Sequence, residues 1–210
     1  LPASISSAYP PLVPPVGLSA EAYVVRLAGD SLPLISQRSA KRMAPASLTK
    51  LMTALIARER LTLDDAVMFS ASARAVEEHR SDASDGEDFG RDDAVRMAVM
   101  ASANDAALAL AETVGAKAGI IGFDARIAFF VRLMNERAAG LGLRDTHFEN
   151  PVGLDAIGHT MSADDLARMA DEILRRDPGL FALTRASESF PSLDTGFPVA
   201  VMVRSATAIS

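Results

Sequence analysis

The chain has 210 residues, 49% of them hydrophobic and 23% charged, with a formal net charge of −6 and no cysteine. An acidic chain without a basic stripe excludes nucleic acid as a partner, and the missing thiols exclude disulfides, zinc–thiolate centres and cysteine nucleophiles. No apolar run approaches the roughly 18 residues that span a bilayer, since the best candidate, "AGIIGFDARIAFFV", is broken by Asp124 and Arg126.

Residues 1–19, opening "LPASISSAYPPLVPPVG", read as a Ser/Pro-rich tether, and 20–210 as a single domain without internal repeat or composition break. A chain without an initiator methionine begins as a secreted protein freed of its signal peptide does, or as a trimmed one does. Residues 21–40 alternate in polarity around Gly29 and Asp30, as a β-hairpin would. A helix is expected over 47–60, with Leu51, Leu55 and Ile56 at helical spacing. "LTLDDAVMFS" suggests a turn and a short strand, and "EEHRSDASDGEDFGRDD", residues 77–93, reads as loop. Two helices are expected over 91–100 and 104–114, joined at "ASAN". From Phe123 an amphipathic helix carries Ile127, Phe130, Val131, Met134 and Ala138 on one face, with Gly140 as its C-terminal cap. Another follows Ser162, a candidate N-cap, and stops before Pro178 and Gly179. The tail, built around "VAVMV", is β-like, so the order is hairpin, long helical block, then strands.

The expected helix at 47–60 carries the first chemical signal. Ser47 and Lys50 are three residues apart and therefore share a helical face. A serine hydroxyl becomes a strong nucleophile only when a neighbouring base takes its proton. Desolvation beside apolar surface favours the neutral amine that could do so, and the helix dipole favours negative charge near Ser47. Against this stands a purely structural role, with Ser47 capping the helix and Lys50 solvated, and Ser-x-x-Lys alone is too short to decide. The second signal is "MASANDAALALAE", which sets Ser102 and Asn104 at a helix–helix junction. Capping is again the structural alternative, but a junction also projects a hydroxyl and an amide away from regular structure.

"PASLTKLMTAL" followed by "SANDAA" resembles the serine D-alanyl-D-alanine carboxypeptidases, the low-molecular-mass penicillin-binding proteins. "FVRLMNERAAGLGLRDTHFENPVGLD" and "HTMSADDLARMA" extend the likeness over roughly residues 22–176. The resemblance implies a mixed α/β fold of the β-lactamase/transpeptidase type, an antiparallel sheet flanked by helices with a largely helical lobe. It implies that Ser47 is the acyl-enzyme nucleophile, Lys50 its general base and Ser102 a proton relay to the leaving D-alanine. Asn104 would bind the substrate's peptide carbonyl, and the Ser47 N–H would form half of the oxyanion hole. The implied substrate is a peptidoglycan stem peptide ending in D-Ala-D-Ala, outside the cytoplasm, with β-lactams as covalent inhibitors and no cofactor. Peripheral association with membrane or cell wall is compatible with that setting. Carboxypeptidase, endopeptidase and transpeptidase remain alternatives within it.

The family's third element, Lys-Thr-Gly, does not occur in these 210 residues. Either "LDTGFPVAV" is its equivalent, with Asp194, Thr195 and Gly196 in its place, or the chain stops before that strand. The expectation adopted is the second, because a sheet left with two strands is marginal. The Glu-x-x-Leu-Asn segment of class A β-lactamases is absent, and Asp-Thr-Gly in a single copy lacks the paired carboxylates of an aspartic protease. A non-catalytic relative that kept the fold is the rival from another class. His79, His147 and His159 show no metal-ligand spacing, and 82–88 misses the calcium-loop pattern. "NPVGLD" reads as a structural turn at the cleft, and the nine methionines as core packing.

Overall fold

A computed structural model gives the fold and describes residues 19–184. The tail around Asp194, Thr195 and Gly196, and residues 1–18 of the tether, lie outside the described residues. Eleven strands and helices follow in order: β1 (Tyr23–Val25), β2 (Ile35–Gln37), α1 (Thr49–Arg60), β3 (Ala66–Phe69), α2 (Ala71–Arg74), β4 (Glu87–Gly90), α3 (Arg91–Met100), α4 (Asn104–Lys117), α5 (Phe123–Gly140), α6 (Ala163–Arg176) and α7 (Pro178–Leu183). The fold is mixed α/β, with two two-stranded antiparallel sheets among the described residues, β1–β2 and β3–β4, on a mainly helical body.

Helix α4 is the centre of that body, touching α1, α3, α5 and β3. Its Ala106, Ala107, Ala109, Leu110, Ala111 and Val114 are all buried, and Asp105 and Glu112 are buried beside them, so most of its circumference faces protein. Alanine brings neighbouring helices close, and Gly115 brings one closer still. A Cβ there would stand 2.6 Å from the Cβ of Arg126 on α5. Met52, Leu55 and Ile56 of α1, Phe130 and Met134 of α5, and Met169 and Ile173 of α6 complete the core. Each such side chain contributes about 1.5–3 kcal/mol by leaving water.

The hairpin pairs Tyr23 with Gln37 and Val25 with Ile35, but its connection is longer than a two-residue turn, running from Arg26 to Leu34. Gly29 supplies a left-handed residue there (φ 79°), beside an Asp30 N–H to Leu27 carbonyl bond of 3.0 Å. The segment read as loop over 77–93 is partly strand. Glu87–Gly90 pairs with Ala66–Phe69, and Phe89 meets Phe69 edge-on at 5.0 Å. Charged residues in β4 hid that strand because the sheet offers only a half-buried face. Helix α3 occupies the expected span, while α4 runs three residues further than expected, to Lys117.

Gly140 is not the cap of α5 but its last residue. Gly142 adopts the left-handed conformation (φ 68°), donating to the Ala139 carbonyl while Leu143 reaches back to Ala138. That pattern is a Schellman ending, which needs the glycine two residues later. The Ser162 cap is observed, its hydroxyl accepting from Asp165 N at 3.2 Å. Pro178 follows α6 as expected but also opens α7 at its first turn.

Candidate active site

Ser47 and Lys50 straddle the start of a helix rather than sitting within one. Residues 46–48 form a 3-10 turn, and α1 proper begins at Thr49. The turn starts at Ala46, held at φ 48°, and its hydroxyl-bearing residue, Ser47, is exposed and makes no cap hydrogen bond. Lys50 is different: it is 2% exposed, enclosed on a helix whose residues 52–57 are all buried.

The Lys50 amine has three partners. Nζ lies 3.0 Å from Ser47 Oγ, 3.4 Å from Ser102 Oγ and 2.7 Å from the carbonyl oxygen of Val152. The two hydroxyls are themselves 2.6 Å apart. Burial pushes the amine down to about 8 from the usual 10.5. Solvated-surface and capping roles are therefore both ruled out for this pair by its geometry.

Ser102 reaches the pair from the opposite side, at the junction of α3 and α4. It sits in the left-handed region at φ 57°, and the cap of α4 is Ala103, not Ser102 or Asn104. A β-carbon in that conformation is strained and persists only where its surroundings hold it. Here the hold is explicit. Ala103 N donates to the Met97 carbonyl (3.1 Å) and Asn104 N to the His79 carbonyl (2.7 Å). Buried Asp105 then accepts from Ser81 N (2.9 Å), Ser81 Oγ (2.8 Å) and Arg74 Nη1 (3.2 Å).

Asn104 is 4% exposed, and its amide nitrogen lies 3.4 Å from the Glu77 carbonyl and 3.3 Å from that of Glu78. In this arrangement its NH₂ group braces residues 77–79 against α4. Ser47, Lys50 and Ser102 thus converge, and Asn104 adjoins them with its donor turned to the protein's own backbone.

The fourth side of the site is the turn expected at "NPVGLD", whose contacts with α1 the sequence did not indicate. Asn150 Oδ1 accepts from the N–H groups of Val152 (3.2 Å), Gly153 (2.7 Å) and Leu154 (3.1 Å), curling "NPVGL" into a compact turn. The turn presses on α1: Thr53 Oγ1 donates to the Pro151 carbonyl at 2.7 Å. A Cβ at Gly153, whose φ is 93°, would stand 1.9 Å from the Ala46 carbonyl oxygen and 3.0 Å from Ser47 N. His159 is buried and contacts Thr49. Threonines and a lysine within an otherwise apolar helix were the available signal, because buried polar groups need partners.

The comparisons with known proteins give the family and the fold. The family model described as D-alanyl-D-alanine carboxypeptidase, Peptidase S11, matches residues 13–199. The chain belongs to the Peptidase S11 family. Among curated S11 relatives, D-alanyl-D-alanine carboxypeptidase DacF of Bacillus subtilis is 35% identical over 147 residues, covering 68% of this chain and 36% of its own. DacD of Escherichia coli is 36% identical over 148 residues, covering 65% of this chain and 36% of its own. This chain therefore spans little more than a third of either relative. Among solved structures, penicillin binding protein 5 of Haemophilus influenzae superposes with a TM-score of 0.71 at 27% identity, over 81% of this chain and 49% of that one. The mixed α/β architecture implied by the sequence is thus that of an S11 peptidase.

Proposed function

We propose that this chain carries the acylation centre of a serine D-Ala-D-Ala carboxypeptidase, with Ser47 as nucleophile, Lys50 as general base and Ser102 as proton relay. One observation carries the reading: a lysine 2% exposed, with its amine 3.0 Å from an exposed serine hydroxyl and lowered by burial to about 8. Such an amine is a neutral base in an appreciable fraction of molecules near neutral pH.

The chemistry follows from the contacts. Ser47 Oγ attacks the carbonyl carbon of the penultimate D-alanine while its proton passes to Lys50 Nζ. The tetrahedral oxyanion faces the Ser47 N–H at the amino end of α1, where the helix dipole favours negative charge. The C–N bond breaks, and the departing D-alanine amine takes a proton from Lys50 through Ser102, whose hydroxyl touches Lys50 Nζ and Ser47 Oγ. Water then adds to the ester carbonyl while Lys50 takes its proton, the C–Oγ bond breaks, and Lys50 returns the proton to Ser47 Oγ. Asn104 borders this centre and would bind the substrate carbonyl once its amide turns from Glu77 and Glu78.

The substrate class is a peptidoglycan stem peptide ending in D-Ala-D-Ala, met outside the cytoplasm at the wall or membrane surface. β-Lactams, which mimic that dipeptide, acylate the same serine. The test is release of free D-alanine from a diacyl-Lys-D-Ala-D-Ala peptide by the full-length protein. Release abolished in Ser47→Ala is expected; equal release by Ser47→Ala overturns the assignment.

A further inference from the structure

Residues 149–159 touch α1 and the turn before it at four positions on one stripe. Gly153 abuts Ala46, His159 meets Thr49 (Nε2 to Oγ1, 2.8 Å), Val152 meets Lys50 (2.7 Å) and Pro151 meets Thr53 (2.7 Å). Positions 46, 49, 50 and 53 are spaced i, i+3, i+4 and i+7, one face of a helix. This segment therefore reads the face that holds the lysine, and of its contacts only the one through His159 uses a side chain of its own.

The tautomer of His159 is fixed by its neighbours. Its Nδ1 accepts from the Glu149 backbone N–H at 3.0 Å, a group that can only donate, so Nδ1 carries no hydrogen. The ring hydrogen is then on Nε2 and is donated to Thr49 Oγ1. The ring is 3% exposed and stands edge-on to Phe148 at 5.8 Å. Burial holds its pKa below the ordinary value, with His147 acting in the same sense and the carboxylates of Glu149 and Asp155 opposing. A protonated ring would set a second hydrogen against the Glu149 N–H and break that contact.

We propose that His159 is a positioning residue for the serine–lysine pair: its Nε2–H ties Thr49 to the 149–159 segment and thereby keeps the Val152 carbonyl on the Lys50 amine. Val152 O has no side chain of its own to direct it. Its place is set by the Asn150 turn on one flank and by His159 on the other, and Thr49 is the residue next to Lys50 in the chain. The inference rests on Ser47 and Lys50 being the nucleophile and base.

The test is a titration that reads Lys50 directly. The sequence has three lysines, Lys41, Lys50 and Lys117, so lysine labelled with ¹³C at Cε gives separable signals for this part of the protein. In full-length protein, His159→Phe keeps the ring and removes both hydrogen bonds, and Thr49→Val removes only the acceptor. Each frees the Val152 carbonyl to leave the amine, so the ammonium loses an acceptor and its solvation changes, and each is expected to move the Lys50 titration by about one pH unit while the other lysine signals stay put. Acylation by a fluorescent penicillin at neutral pH should slow about tenfold. His159→Gln, which restores a donor near Nε2, should recover most of both effects. A folded Thr49→Val with an unmoved Lys50 titration overturns the proposal, even if its stability falls and whether or not His159→Phe folds. Should the parent protein take up no penicillin, the function fails, and the Lys50 titration still decides the positioning role.

Discussion

The Lys50 amine donates to the carbonyl oxygen of Val152 at 2.7 Å, its shortest contact. A carbonyl can only accept, so it holds one N–H in every protonation state. When Lys50 is neutral, its remaining N–H and its lone pair are left facing Ser47 and Ser102, the only other partners within reach among the described residues. The carbonyl thereby leaves the lone pair of the neutral amine free to face the Ser47 hydroxyl.

The rate of Ser47 acylation should rise with pH. Lys50 is a base only when neutral, and burial lowers it to about 8. Below that value the rate should fall about tenfold per pH unit, since the neutral fraction falls so. Second-order acylation rates between pH 5.5 and 9 check this. A flat profile would separate the rate from Lys50.

Lys50→Met should inactivate the centre and stabilise the fold. The folded protein releases the Lys50 proton near 8, whereas the unfolded chain holds it to 10.5. In that window the unfolded state binds more protons, so stability rises with pH, recovering about 3 kcal/mol. Below about 8 the whole cost is present. Methionine removes it but strands Val152 O, at about 1 kcal/mol. Denaturant unfolding at pH 7 should show a net gain of about 1–2 kcal/mol, and the rise between pH 8 and 10 should disappear.

Gly153→Ala and Gly119→Ala should differ sharply. Both glycines are left-handed, at φ 93° and 80°, so both substitutions carry backbone strain of about 1 kcal/mol. At 119 the new methyl meets nothing within 4 Å, whereas at 153 it overlaps the Ala46 carbonyl. Unfolding should show Gly153→Ala worse by at least about 2 kcal/mol, with acylation lost. Equal costs would mean that the 150–154 turn does not bear on Ser47.

Acid stability should depend on Asp177. Its hydrogen bonds to Arg58, one of them 2.9 Å long, hold its carboxyl below the usual range, with burial opposing. A depressed carboxylate stabilises the fold above its unfolded value, near 3.9, and that contribution is lost as pH falls through the folded one. Asp177→Asn should therefore lower stability at pH 6 and make the loss between pH 4 and 2 smaller by the share that Asp177 contributes.

The long elements were legible because periodicity reports burial. Phe123–Gly140 and Arg91–Met100 carry apolar faces that fix both their type and their span. β4 was not, because its "EDFG" has only Phe89 facing the core and pairs with a strand about twenty residues away. Of the centre, Ser47, Lys50 and Ser102 were legible as spaced motifs, and they do meet. The press of the 150–154 turn on α1, the left-handed Ser102 and the Thr49–His159 contact were not. Each is a tertiary relation, with 110 positions separating Thr49 from His159, and no local pattern encodes it. The direction of the Asn104 amide likewise depends on carbonyls of a distant loop.

The central claim is that a buried Lys50 makes Ser47 a nucleophile. Its most direct test is peptide mapping by mass spectrometry after incubating the full-length protein with benzylpenicillin at pH 8. The account expects one penicilloyl adduct, on the peptide containing Ser47, absent from Ser47→Ala and reduced at least about a thousandfold in rate by Lys50→Met. A folded protein without adduct, or one labelled as fast without Lys50, would contradict it.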